Sequence, residues 1–141
     1  MNSMPAGKVF LDANILVYAQ DRDSPAKRRR SREVIASLAQ SGNGVISTQV
    51  LQEFYVAVTR KMGVAPLAAK RVMQTFKIFE IVQASPDLIE SAIDCSVLNG
   101  ISFWDALIVA AAAASACVIV YSEDLNSGQT IQGVRIENPF G

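Results

Sequence analysis

The chain has 141 residues, half of them hydrophobic, and its 13 basic and 13 acidic side chains give a formal net charge of zero. This length and composition predict one globular domain with a substantial core and argue against a disordered chain. The chain has no histidine, which excludes Ser-His-Asp and Cys-His catalysis and leaves too few ligands for a zinc site, so that hydrolysis would depend on carboxylates and a hard metal ion.

The first predicted elements are a strand and a long helix. The strand lies in KVFLDA, residues 8–13, where an apolar run ends on Asp12. The helix follows in residues 24–44, with Ser24 as its N-cap, Pro25 in its first turn and Gly-Asn-Gly as its stop. No signal peptide is expected at the N-terminus, which lacks both a charged start and an apolar centre.

Strands and helices then alternate along the rest of the chain. We predict a strand in VIST (45–48), helices over 48–62 and from residue 66 to about 76, a strand in FEIVQ (79–83), helices over 85–100 and 102–116, a strand in CVIVYS (117–122) and an edge strand in GVRIENP (133–139). Apolar strands separated by helices predict a parallel sheet covered on both faces, which is a three-layer α/β/α sandwich.

One apolar stretch allows a second interpretation. Ser115 is the only polar residue in the stretch 106–121, and such low polarity is also typical of a membrane span. A span needs about 20 residues, however, and the change from alanine to β-branched residues at Cys117 favours a buried helix that leads into a buried strand. Cys95 and Cys117 form no CxxC motif and are predicted to be free, buried thiols in a reducing cytoplasm.

Charge is distributed unevenly along the chain. Residues 1–77 carry 12 basic and 5 acidic side chains, whereas residues 78–141 carry 1 and 8. Much of the excess positive charge is one run: Lys27, Arg28, Arg29, Arg30 and Arg32. The run is either a solvated helix face or a surface that binds phosphates or an acidic partner.

Two acids follow predicted strands. Asp12 ends the first strand, and Asp124 follows the fourth in YSEDLNSG. In an open parallel sheet, sites form outside the carboxyl ends of the strands, so these acids could share one rim. Either acid could instead organise a turn or cap a helix.

Two further acids lie on predicted helices. Glu53 lies one or two turns after the second strand, at the border of an apolar stripe, where it could reach the same rim or simply extend into solvent. Asp105 is three residues after Ser102, which is the spacing of a capping box. Its carboxylate could therefore simply cap the start of its own helix. The adjacent Phe103 and Trp104 lead us to expect that this helix start is buried.

A cluster of these acids would require a cation. Neighbouring carboxylates repel one another unless a divalent ion neutralises them, and Mg²⁺ prefers hard oxygen ligands. Such an ion can lower the pKa of a water and stabilise a leaving oxygen, which makes histidine unnecessary for phosphodiester hydrolysis.

The chain resembles the PIN-domain family, and within it the VapC-type toxins of toxin–antitoxin pairs. The resemblance extends from about Val9 to Phe140 and rests on four segments in order: FLDANILVYA, STQVLQEFY, ISFWDALIVAAA and YSEDLNSGQTIQGVRIENPF. It implies a single domain over residues 1–141, in which residues 1–8 form a short N-terminal extension and Met4 is an alternative start. It also implies cleavage of RNA that leaves a 5′-phosphate and a 3′-hydroxyl.

The resemblance assigns roles to particular residues. Asp12, Glu53, Asp105 and Asp124 match the family's four acids, which bind Mg²⁺ or Mn²⁺. Asn14 matches a polar residue beside the first acid, and Ser122 stands where the family often has threonine. Asn126 occupies the position of a fifth acid that some relatives carry, which weighs against a second tightly held metal.

The resemblance also implies partners. The residues from Lys27 to Arg32 would contact RNA phosphates or a small cognate antitoxin, and the family commonly forms homodimers in the cytoplasm, away from membranes. Two alternatives remain: a non-catalytic PIN-like binding module, and an aspartate-based phosphatase or phospho-acceptor domain using Asp12. Phosphatases of that type usually carry a second Asp two residues after the nucleophile, where this chain has Asn14.

Overall fold

The structure, a computed structural model, describes residues 6–141, so that the predicted start at Met4 lies outside the described residues. Six strands and six α-helices occupy this range. In chain order they are β1 (Lys8–Leu11), α1 (Ala13–Tyr18), α2 (Pro25–Ser41), β2 (Gly44–Ser47), α3 (Thr48–Lys61), α4 (Pro66–Thr75), β3 (Glu80–Val82), α5 (Pro86–Asn99), α6 (Phe103–Ala114), β4 (Cys117–Tyr121), β5 (Thr130–Ile131) and β6 (Val134–Glu137). A 3₁₀ turn, Phe76–Ile78, follows α4.

The strands form one six-stranded sheet in the order β3-β2-β1-β4-β6-β5. All neighbouring strands are parallel except β5, which pairs antiparallel with β6. The prediction that the last strand forms the edge of the sheet is therefore wrong. Gln132 and Gly133, both at positive φ, form a hairpin turn that pairs the short β5 alongside β6, so that β5 is the edge strand.

Helices cover this sheet, and the predicted three-layer α/β/α sandwich is confirmed. The core is continuous between the layers, because α6 packs against β2, β4 and β6, while α2 packs against β2. The apolar stretch 106–121 consists of most of α6 followed by β4, as predicted. Cys95 and Cys117 are free and buried.

Two local expectations at the N-terminal side need correction. The six-residue α1 was not predicted; Asp12 caps it, since its carboxylate accepts a hydrogen bond from the Ala13 amide at 2.8 Å. Ser24 does precede α2, but its side chain makes no capping bond, because its backbone (ψ 70°) is not in the extended conformation that aims an N-cap hydroxyl at the helix.

No single helix within residues 6–141 is both long and apolar enough to cross a membrane. Within the same residues, one pair of helices, α5 and α6, is long and apolar enough when taken together, and the chain bends by 116° between them.

Candidate functional site

The site begins where β1 and β4 end side by side. The two strands are parallel neighbours with Leu11 paired to Tyr121, and the Asp12 amide donates to the Tyr121 carbonyl at 3.0 Å. The next residue of each chain segment, Asp12 and Ser122, therefore stands at the same level. The sheet order places β2 on one side of β1 and β4 on the other, which is a topological switch point where a crevice forms.

Asp12 is held rigidly at this point. Its side chain is only 8% exposed. One oxygen, Oδ1, accepts from the Ala13 amide, and the other, Oδ2, accepts from the fully buried Ser122 hydroxyl at 2.6 Å. The helix-capping role considered for this acid is therefore real, but it uses only one of the two oxygens.

Asn14 connects the two strand ends. Its Nδ2 donates to Asp124 Oδ2 at 3.1 Å and makes longer contacts of 3.4 Å with Asp12 Oδ2 and Ser122 Oγ. Its Oδ1 accepts from the Glu123 amide at 3.2 Å. The predicted accessory residues Asn14 and Ser122 thus lie in one hydrogen-bond network with the first and fourth acids.

The second and third acids reach the same place from helices. Glu53, on α3, and Asp105, in the first turn of α6, line one cleft of about 820 Å³ together with Asp12 and Asp124. Ser102 caps α6 by accepting from the Asp105 amide at 3.1 Å. Among residues 6–141 the Asp105 carboxylate makes no hydrogen bond in return, so only half of the predicted capping box forms.

The expected burial of the α6 start is wrong. Trp104 is 62% exposed and lines the cleft beside Asp105, which is itself half-buried. The indole packs edge-on against Phe103, with ring centroids 5.0 Å apart, so its other surface remains available to a ligand.

The cleft disfavours negative charge. Burial raises the pKa of Asp12, and the charges of Asp124 and Asp105 add to this, while hydrogen bonds from Ser122 and the Ala13 amide act against it. Partial burial and then the charge of Asp12 raise the pKa of Glu53. Burial is the larger cause of both shifts, but the charges of the other acids contribute to each, as expected for a site that attracts a cation.

The carboxylates do not form a closed metal cage. In the part of the chain that the structure describes, no three His, Cys, Asp or Glu side chains are placed to hold a metal ion by themselves. The donors present are nevertheless hard oxygens, and Mg²⁺ is usually bound through one or two carboxylates while it keeps several waters. The donor set therefore fits a hydrated divalent ion.

The basic run is largely occupied within the protein. Lys27 forms an ion pair with Glu123, and its Nζ lies 4.8 Å from the centre of the Tyr18 ring. The Tyr18 hydroxyl donates to the other oxygen of Glu123 at 2.7 Å. Burial alone would raise the pKa of Glu123, but the bonds from Lys27 and Tyr18 lower it.

The arginines of the run differ in their availability. Arg30 and Arg32 each donate through Nε to a main-chain carbonyl, at 3.1 and 2.8 Å. Arg28 is half-buried, and Arg29 is exposed. None of the run lines the cleft, whose cationic side chains among residues 6–141 are Arg22 and Lys61.

The sequence did not mark several other residues of the cleft, among them Arg22, Lys61 and Gln49. Gln49 could have been found from helical spacing, because it lies four residues before Glu53 and so on the same side of α3. No comparable signal marks Arg22 or Lys61, whose positions depend on how the α1–α2 loop and the end of α3 meet.

Comparison with known proteins gives a family and a fold. The family model described as the PIN domain matches residues 9–128. No curated protein matches the sequence.

Several solved structures resemble the whole chain. A toxin–antitoxin complex from Klebsiella pneumoniae is 19% identical, with a TM-score of 0.69 over 94% of this chain and 98% of that chain. DNA-bound VapBC from Salmonella typhimurium is 20% identical, with a TM-score of 0.67 and the same coverage. VapC20 of Mycobacterium tuberculosis, a sarcin-ricin loop cleaving toxin, is 20% identical, with a TM-score of 0.62 over 83% of this chain and 90% of that chain. At this level of identity, the likeness shows a shared fold.

Proposed function

The chain belongs to the PIN domain family, and we propose that it is a divalent-metal-dependent endoribonuclease that acts as the toxin of a type II toxin–antitoxin pair. The observation that carries this proposal is the cleft itself. Four acids from four separate segments, in a chain without histidine, line one crevice at the carboxyl ends of parallel strands. Asp21, Asp23 and Glu123 also line the cleft, but Glu123 is paired with Lys27, and Asp21 accepts from the Asp23 amide in a turn.

Asp12, Glu53, Asp105 and Asp124 would hold Mg²⁺ or Mn²⁺. A bound divalent ion supplies an acidic water and stabilises charge on the leaving oxygen of a phosphodiester. Hydrolysis then adds one water, breaks the bond between phosphorus and the 3′ oxygen, and leaves a 5′-phosphate and a 3′-hydroxyl.

The protein's own contribution is a fixed arrangement of acceptor oxygens. Ser122 and the Ala13 amide hold the two oxygens of Asp12, and Asn14 holds Asp124 at 3.1 Å. Because these bonds within the protein hold the acceptor oxygens in place, little reorganisation is needed when charge develops on the substrate.

The other walls of the cleft suit a nucleic acid strand. Arg22 and Lys61 line the same cleft as the acids and can pair with phosphates, and the exposed indole of Trp104 offers a surface on which a base can stack. RNA is the substrate we propose, because one structurally similar protein is described as cleaving the sarcin-ricin loop.

A small antitoxin is the proposed protein partner. Structural neighbours of this chain are toxin–antitoxin complexes. On this chain, Arg29 and the cations of the cleft could pair with an acidic segment, whereas Lys27 is paired with Glu123, and Arg30 and Arg32 each use Nε on a main-chain carbonyl. A homodimer in the cytoplasm remains part of the same proposal.

The test is cleavage of RNA by purified protein, followed on a denaturing gel with Mg²⁺, with Mn²⁺ or with a chelator. We expect cleavage with either metal and none with the chelator. Asp12→Asn and Asp105→Asn should each reduce the rate by at least a hundredfold, whereas Asp94→Asn, an exposed change on α5, should not.

Two outcomes would contradict the proposal. A folded Asp12→Asn protein that cleaves at the parent rate would exclude a role of the acids in catalysis. A wild type that neither binds Mn²⁺ nor cleaves RNA would favour the non-catalytic binding module instead.

A further inference from the structure

Gln49 is the one buried amide in the described wall of the cleft. It lies in the first turn of α3, one helical turn before Glu53, and its side chain is 6% exposed. Glutamine is seldom buried to this extent without a full set of hydrogen bonds.

The orientation of the Gln49 amide follows from its one strong partner. Its Nε2 donates to the main-chain carbonyl of Trp104 at 3.2 Å. A carbonyl can only accept, so the amide nitrogen must be the atom that faces it, and Oε1 must point away. This bond ties α3 to the residue that directly precedes Asp105.

Oε1 is left without a partner. The atom is buried and has no hydrogen bond to any group among residues 6–141. An unpaired buried acceptor destabilises a protein, whereas an apolar side chain of the same shape would not. An unpaired Oε1 at the wall of a cleft therefore indicates a donor that arrives with a ligand.

The surroundings define the chemistry of that donor. In their ionised form the neighbouring Glu53 and Asp105 only accept hydrogen bonds, and a bond from the Gln49 side chain lowers the pKa of Glu53, so neither carboxylate satisfies Oε1. The acids are also not placed to enclose an ion by themselves. A hydrated divalent cation meets both conditions, because its waters are strong donors and the ion neutralises the acids.

We infer that Gln49 is a positioning residue of the metal centre: it fixes Asp105 relative to Glu53 through Nε2 and accepts a hydrogen bond from a water of the hydrated cation through Oε1. The inference rests on the proposed function, since the cation is the one held by the four acids. It adds an outer-sphere ligand and predicts that the ion is bound largely through its waters.

The test compares Gln49→Met with Gln52→Met. Methionine has nearly the shape of glutamine but no amide, and Gln52 is an exposed residue of the same helix outside the cleft. Isothermal titration calorimetry would measure the binding of Mn²⁺ and of hexaamminecobalt(III), whose ammonia ligands donate hydrogen bonds but do not exchange for protein atoms. We expect Gln49→Met to weaken both by about tenfold or more and Gln52→Met to leave both within twofold.

A purely structural role would give a different result. Gln49→Met would then unfold at lower urea concentration in chelator, yet a folded sample would bind Mn²⁺ as the wild type does. That outcome, or wild-type protein that binds Mn²⁺ but not hexaamminecobalt(III), would overturn the inference.

A second variant covers the case in which methionine prevents folding. Gln49→Asn keeps the amide but shortens the side chain by one methylene, so it should fold while Mn²⁺ and hexaamminecobalt(III) bind about tenfold more weakly than to the wild type. Binding of both ions within twofold of the wild type would overturn the inference as well. Failure of the wild type to bind Mn²⁺ or to cleave RNA would instead refute the proposed function, so the two failures are distinguishable.

Discussion

Replacing Ser122 with alanine tests how the site is held together. The Ser122 hydroxyl is fully buried, donates to Asp12 at 2.6 Å, and accepts from the main-chain amides of Asp124 and Leu125 at 3.2 and 3.3 Å. Ser122→Ala removes the donor to a buried carboxylate and at the same time leaves two amides without this acceptor.

The expected loss of stability follows from these bonds. A hydrogen bond to a charged group contributes about 1.5–3 kcal/mol, and a buried donor left unpaired costs about 1–3 kcal/mol. Because Asp124 is exposed and water can reach its amide, only the Leu125 amide is expected to bear the full cost. The two contributions together predict that the free energy of unfolding falls by about 2.5–6 kcal/mol.

The same change should alter the titration of Asp12. The Ser122 bond lowers the pKa of a carboxyl that burial has already raised, so its loss raises that pKa further. The carboxylate form is the one that binds a cation, so RNA cleavage by Ser122→Ala should need a higher pH than cleavage by the wild type. Urea unfolding in chelator and a pH–rate profile measure the two effects.

Ser96 provides a matched control. Its hydroxyl donates to the Ile101 carbonyl at the same distance, 2.6 Å, but both groups are neutral and lie outside the cleft. Ser96→Ala should cost about 1 kcal/mol and leave the pH–rate profile unchanged. If Ser122→Ala costs no more than Ser96→Ala and its profile does not move, the reasoning about the network is refuted.

Four further predictions follow from the same structure. The pKa of Asp12 is raised, so the folded chain binds this proton more tightly than the unfolded chain; in chelator the wild type should therefore lose stability relative to Asp12→Asn as the pH rises above 3.8, the ordinary pKa of the carboxyl. A difference in urea midpoint that stays constant or changes in the opposite direction would contradict this. Lys61→Ala should weaken RNA binding and reduce its salt slope by about 1, while Lys77→Ala, outside the cleft, should leave the slope unchanged in filter-binding assays. Trp104, the only tryptophan, should show quenched fluorescence when RNA binds, and Trp104→Ala should weaken binding by about 1–3 kcal/mol; unchanged fluorescence at saturating RNA would exclude stacking. Ala116 has a φ of 60°, a left-handed conformation that strains alanine but not glycine, so Ala116→Gly should raise the free energy of unfolding by about 1 kcal/mol. If this variant instead unfolds at a lower urea concentration, the inference that Ala116 is strained is refuted.

Local patterns in the sequence predicted most of the fold. The starts of α5 and α6 follow from Ser85 and Ser102, whose hydroxyls accept from the amides three residues later, and the ends of α2 and α5 follow from Gly42 and Gly100. These signals act within one helical turn, so they can be read without knowledge of distant segments.

The elements that were missed have no such signal. Ile15, Leu16 and Val17 favour a strand as much as a helix, and α1 forms because Asp12 caps it and its buried face packs against α2 and α3. The two-residue β5 is too short to show a period of its own, and it exists only because the Gln132–Gly133 turn returns the chain to β6.

The sequence by itself determined the chemistry available to this protein: oxygen ligands, no histidine, and an acid after each of the strands that became β1 and β4. Only the tertiary structure decided that these acids face one cleft, that Gln49 stands between two of them, and that Lys27 already has a partner. The physical reason is that residues as far apart as Asp12 and Ser122 meet through the hydrogen-bond register of parallel strands, which no local pattern specifies.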